Sequence, residues 1–291
     1  MSRKRALQAL CVVIILAVVI IGCAAKKEMK VEPDPGLKLM YRMSGDQALK
    51  YEMTNKSVQD LKIMGQAMVI ETDKTYDFSV KSKGMKEGNN QLEITIDSVA
   101  IKISGPQGVI PVDVSAIPGK SFDMTLSPLG EEMDLAGAKA LQYDMGMQGK
   151  QSIAPDFQII FPDLPDKPVE VGDTWPGKDT LNIEEGDSRV QINMDILSTL
   201  DGFETIDGME CVRVVSQVTG TVEGQGKQQG MDLVTKGKFK GTDTWYFAQK
   251  YGILVKLVSK NTAEATVTGT GPQNITIPLT QEISNEINLV K

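Results

Sequence analysis

The chain has 291 residues, 31 Lys and Arg against 38 Asp and Glu, and no histidine. The missing imidazole excludes Ser-His-Asp and Cys-His nucleophile pairs and any zinc or iron site built on histidine. The acidic balance works against nucleic acid as a partner, because binding there rests on clustered Lys and Arg releasing counterions.

Residues 1–22 read as a signal peptide. Arg3-Lys4-Arg5 form its positive end, and Leu7 to Ile21 is apolar apart from Gln8. Charge returns at Lys26, Lys27 and Glu28, so the run is shorter than the ~20 residues of a comfortable span. The run closes in Ile20-Ile21-Gly22-Cys23, which resembles the lipobox of bacterial lipoproteins. That resemblance implies cleavage before Cys23, a diacylglyceryl group on its sulfur, and acyl chains such as palmitate that anchor the protein in a membrane. Two or three chains hold far more firmly than one, at ~0.8 kcal/mol per buried CH₂. Ala24, where an aspartate would favour the inner membrane, points to the outer membrane facing the periplasm if the organism has two membranes. Loss of the leader removes three basic residues and no acidic ones, leaving 28 against 38 and a net charge near −10. Cys11 leaves with it, so Cys211 is the lone thiol of the folded part, expected as a small buried hydrophobe.

Residues 23–40 are expected to be a lipidated flexible tether, mixing charge with Pro33, Pro35 and Gly36. The remainder is long for one core, so two β domains are expected, at 41–150 and 151–291, with the boundary between 136 and 168. Their dominant signal is alternation of period two, as in Leu92-Glu93-Ile94-Thr95-Ile96, Phe122 to Leu126 and Val190 to Ile196. Turn chemistry is read at Lys86 to Asn90, Asp201-Gly202, Asp207-Gly208 and Gly224-Gln225-Gly226. The fold class is therefore mainly β, in antiparallel curved sheets or half-barrels, with a short helix near the middle at Leu135 to Met145. Three prolines between Pro162 and Pro168 mark a linker or crossover. Gly119 to Leu135 and Gly241 to Leu257 look alike, and so do Gly105 to Pro111 and Gly271 to Pro278. The two likenesses imply different offsets, which leaves an internal duplication open.

No catalytic, cofactor or metal residues are assigned, and the chain is not expected to be an enzyme. The acidic loops Asp163-Leu164-Pro165-Asp166 and Asp201 to Asp207 lack the alternating oxygen ligands of a calcium loop. Glu131-Glu132 and Glu184-Glu185 are expected to be solvated turns. Met64, Met68, Met145 and Met147 are more simply core or the lining of an adaptable apolar cavity than Cu(I) ligands. Trp175 and Trp245 are expected to anchor a sheet face.

The passages SFDMTLSPLG, FPDLPDKPVEVGDTW, DGMECVRV and GTDTWYFAQKYGILVK, with the lipobox, make the chain resemble uncharacterised bacterial lipoproteins. A weaker analogy runs to periplasmic lipoprotein carriers, whose curved antiparallel sheet wraps an apolar cavity. Two functions stay open. One is a lipid-anchored extracytoplasmic binding protein holding an apolar ligand in a sheet-lined cavity, with Met124, Leu126, Val255 and Leu257 as lining. The other is an envelope structural or protein-interaction lipoprotein with a solid core.

Overall fold

The computed structural model describes residues 36–43, 48–63, 65–146, 149–185, 188–228, 230–271 and 274–290. Gly36–Lys291 forms one compact unit. Its long strands are β1 (Leu49–Ile63), β2 (Gln66–Lys86), β3 (Asn89–Gly105), β9 (Thr174–Glu185), β10 (Ser188–Ile206), β11 (Met209–Gln228), β12 (Met231–Ala248), β13 (Ile253–Thr270) and β14 (Ile275–Val290). Short strands β4 (Gly108–Ile110), β5 (Ser121–Leu126) and β6 (Glu132–Met133) finish one edge, and β7 (Gln142–Asp144) pairs with β8 (Lys150–Ser152) apart from the main sheet.

The strands form a curled antiparallel half-barrel in the order β6-β5-β3-β2-β1-β14-β13-β12-β11-β10-β9, with β4 on β3. The halves expected at 41–150 and 151–291 are thus joined edge to edge in one sheet, where β1 runs against β14 from Lys50↔Val290 to Leu61↔Leu279. Period-two alternation explains the architecture, since each strand turns one set of side chains to the concave face and the other to the convex face.

Two of the expected turns are tight hairpins. Glu87-Gly88 (φ 53° and 84°) joins β2 to β3, and Asp207-Gly208 (φ 49° and 79°) joins β10 to β11. Positive φ at both central positions gives a twist that matches the flanking strands. The other two expected turns lie inside strands. Asp201-Gly202 is an irregularity in β10, where the register shifts between Leu200 and Gly202. Gly224-Gln225-Gly226 continues through β11, its glycines on the concave face opposite Thr235 and Leu233. Glycine there serves curvature. At Gly220 an added Cβ would lie 2.1 Å from the Asn193 carbonyl, and at Gly237 2.5 Å from the Glu264 carbonyl, so the sheet coils too tightly for side chains at these points.

Because β6 and β9 lie at opposite edges, the chain between them must cross the sheet. It does so over the concave face as a strap. Helix α1 (Ala136–Ala140) starts it, followed by β7, β8, a 3₁₀ turn (Ala154–Phe157) and the proline-rich run to Val169. The helix is shorter than the expected 135–145 because Gln142 onward pairs with β8 instead. Ile153, Phe157, Ile160, Phe161 and Leu164 are buried beneath the strap. Phe157 meets Tyr76, Phe78 and Phe122 edge-on at 5.3–5.5 Å between ring centroids. The Lys74 ammonium pairs with Asp156 at 2.9 Å, and the Tyr76 hydroxyl donates to the same carboxylate at 2.7 Å.

The end of the expected tether belongs to the body. Leu37 exchanges both backbone hydrogen bonds with Val169, and Leu39 and Tyr41 are fully buried. Tyr41 touches Phe161 and Phe247 edge-on and donates its hydroxyl to the Pro162 carbonyl at 2.9 Å. Their apolar side chains end the tether earlier than charge and proline content suggest.

Candidate functional site

The concave face changes character along the strands. At one level the cross-strand register aligns Ser198, Ser216, Asp243, Ser259, Asn285, Asn55 and Lys74 on seven neighbouring strands, from β10 to β2. The row immediately above is apolar, Leu200, Val214, Trp245, Leu257, Ile287, Met53 and Tyr76, and is packed against the strap. Below it the face becomes apolar again. Met194, Val218, Val222, Phe239 and Ala263 form a second cluster with Leu181, Val190, Ile192, Ile196 and Ile283 around it. Farther down, Ile183, Leu233, Val267, Ile277, Leu279, Leu61 and Ile70 share the concave side and are half-buried. From Asp243 to Leu233 β12 runs ten residues, ~33 Å of trough. The convex side of the same strands carries Lys236, Lys238, Lys240, Glu264, Thr266, Thr280 and Glu282 beside exposed Val58, Val69, Leu197 and Val234. The concave side has Ser57, Gln59, Thr72, Thr235 and Gln281 among its apolar residues, so the concave face is the more apolar of the two.

Where the strap ends and the trough begins there is a cavity of about 90 Å³. Ile159, Phe161, Pro162 and Asp163 of the strap face Trp175, Asp179, Asp243, Trp245, Asn261 and Asn285 of the sheet across it. Met194, Ile196, Val218 and Phe239 line it as well, which makes it continuous with the trough cluster. Its polar wall is ordered by hydrogen bonds. The Trp245 indole donates to Ser216 Oγ at 3.1 Å, which lies 2.8 Å from Ser198 Oγ. Ser259 donates to the Asp243 carboxylate and accepts from Asn261 Nδ2 at 2.6 Å. The Trp175 indole donates to the Asp163 carbonyl at 3.3 Å, and the two indoles meet edge-on at 6.2 Å.

Two acceptors are left over. Asn261 Oδ1 and Asn285 Oδ1 are shut off from solvent and have no hydrogen-bond partner among the described residues. The carboxyls are also uneasy. Burial, then the charges of Asp179 and Glu131, push Asp163 up to about 6. Burial likewise raises Asp179 and, against the Ser259 hydroxyl, Asp243. Nearby, burial lifts Glu132 well above the usual carboxylate range although the Phe161 amide donates to it at 2.8 Å. Glu132 is therefore not the solvated turn residue expected. Glu184 is exposed on β9, 3.8 Å from Arg189.

The sequence singled out Trp175 and Trp245, and the structure brings them together at the cavity. Of the lining expected from sequence, Leu257 reaches the cavity, whereas Met124, Leu126 and Val255 are packed solid in the core above it. Cys211 is buried as a free thiol, and burial raises it. Met145 is in the core and Met68 lies on the concave face opposite Leu61. Cys23, Met64 and Met147 lie outside the described residues. Among the described residues no group of three or more His, Cys, Asp or Glu is arranged to hold a metal, and no helix is long and apolar enough to cross a membrane. Asp179, Asp243, Asn261 and Asn285 went unnoticed in sequence. Their signal was a polar residue on the phase of each strand that is otherwise apolar.

No family model and no curated protein matches the chain. Among solved structures, it is similar to a putative exported protein with a YmcC-like fold from Bacteroides fragilis, at 9% identity and a TM-score of 0.25, over 87% of this chain and 98% of that one. A DUF1329 family protein from Desulfovibrio piger is similar at 12% identity and a TM-score of 0.15, over 82% and 85% of the two chains. At these scores neither likeness carries an argument about this chain.

Proposed function

We propose that this protein is an extracytoplasmic binding protein, held to a membrane by acyl chains on Cys23, that keeps an apolar ligand in the trough of its half-barrel. It acts by holding and not by catalysis. The observation that supports this reading is the apolar concave face below the polar row, where Met194, Val218, Val222, Phe239 and Ala263 are buried by the curl of the sheet itself and the residues farther down are half-buried. A solid protein would pack such a face against a second layer, and among the described residues the strap packs against its upper end alone. The part of this surface that Leu61, Ile70, Leu233, Val267, Ile277 and Leu279 still leave to water is unfavourable by ~25 cal/mol per Å², so a ligand that removes it from water is stabilised without new polar chemistry.

The test is native mass spectrometry of residues 24–291 produced in the periplasm without the leader, followed by solvent extraction. A stoichiometric apolar adduct, lost in Val222→Asp, is the expected result, whereas a clean apo mass would overturn the reading. The anchor is tested apart from the trough: Cys23→Ser should leave the leader uncleaved and block lipid labelling, and normal processing in that variant would remove Cys23 from the account. The other reading, an envelope scaffold with a solid core, draws on the tight packing around Met124, Leu126 and Val255. It gains if the apo mass is clean.

A further inference from the structure

We infer that the cavity at the head of the trough receives the ammonium group of an amphiphile whose chain lies along the apolar strands below. The inference rests on the trough reading and adds to it the chemical class of the head group.

The polar lining of the cavity is dominated by acceptors: the Asp163, Asp179 and Asp243 carboxylates, and Oδ1 of Asn261 and Asn285. The two amide oxygens are buried without a partner among the described residues, which is costly until a donor arrives. Four of the donors already present are committed elsewhere. The Trp245 indole donates to the Ser216 hydroxyl and the Trp175 indole to the Asp163 carbonyl, Ser259 donates to Asp243, and Asn261 Nδ2 to Ser259. Among the described residues no ion pair involves Asp163, Asp179 or Asp243, and no lysine or arginine lines the cavity. An occupant of this space must therefore bring hydrogen-bond donors and positive charge.

Size and surroundings narrow the choice. About 90 Å³ takes a compact group and excludes a sugar or a phosphodiester with its substituents. An ammonium supplies three donors on one charge. The indoles of Trp175 and Trp245 offer ring surface that attracts a cation. Met194, Ile196, Val218 and Phe239 then lead from this space into the second apolar cluster, so a chain attached to the ammonium leaves along a dry path. A carboxylate or phosphate head would meet three carboxylates with no cation between them. The raised carboxyls at Asp163, Asp179 and Asp243 agree with a site that gives up charge when no cation is present.

The experiment titrates delipidated residues 24–291 at pH 7.5 with dodecylammonium, dodecan-1-ol, dodecanoate and propylammonium, each below its aggregation threshold, using calorimetry with native mass spectrometry for stoichiometry. One-to-one binding of dodecylammonium at least tenfold tighter than dodecanol, and tighter still than dodecanoate, is expected. Asp179→Asn with Asp243→Asn should remove that preference while dodecanol binding holds, which also shows that the variant is folded. Equal binding of the three dodecyl ligands would overturn the ammonium site and leave the trough standing. Binding of propylammonium as tight as dodecylammonium would keep the ammonium site and remove the trough as its continuation. Failure of every ligand would overturn both.

Discussion

Asp163 shows how one side chain can oppose the fold that holds it. Unfolded, its carboxyl titrates near the ordinary ~3.9; folded, it is pushed up to about 6. Between these values the folded chain keeps a proton that the unfolded chain has released, so stability falls as pH rises from ~4 to ~6 and stays reduced above that. Asp163→Asn is therefore expected to raise the melting temperature at pH 7.5 and to change it little at pH 4, read by calorimetry at both. An unchanged melting point at pH 7.5 would mean that water already screens the carboxylate. Gly237 makes the complementary point about space. Gly237→Val places a side chain against the Glu264 carbonyl and Ala265, and a loss of ~1–3 kcal/mol in chemical denaturation is expected, the usual cost of overpacking. A smaller loss would mean that the curl of the sheet yields there.

Among the elements, the strap is held by an aromatic contact and a buried ion pair. Phe157→Ala removes three edge-on ring contacts from a fully buried position and should cost ~3–5 kcal/mol. Lys74→Met leaves the buried Asp156 carboxylate without its cation and with the Tyr76 hydroxyl as a donor, with an expected loss of ~3 kcal/mol, and Asp156→Leu in the same chain should restore most of it. A double variant no better than the single would show that the Tyr76 hydroxyl, and not Lys74, carries the contact. The strands themselves were legible from alternation, and the Glu87-Gly88 and Asp207-Gly208 hairpins from turn chemistry. Gly224 and Gly226 misled because a glycine that lets a strand coil has the same letter as one that lets it turn. The cavity was illegible for a different reason. Asp243, Ser259 and Asn285 each interrupt an apolar phase visible in a single strand, but hairpin lengths and bulges set the register that lines them up, and those are fixed in the assembled sheet.

At the scale of the whole molecule, the strap also limits the sheet. It connects one edge to the other across the hollow side, so the edges cannot separate while it is intact. Cutting the strap with a protease site inserted after Lys150 should let β9 and β10 exchange their amide hydrogens faster than β13 and β14, and uniform exchange would show that the sheet keeps its curl unaided. The pairing of β1 with β14 has a consequence in time. Lys50 meets Val290 in the middle of the sheet and not at an edge, so the first long strand to emerge waits for the last before its central seam can close. Contacts between such distant parts of a chain form slowly, because loop closure precedes any reward. A polypeptide threaded through a membrane from its N-terminus would thus remain open until its final strand had crossed, and a chain lacking residues 275–290 would lose its centre and not a fringe.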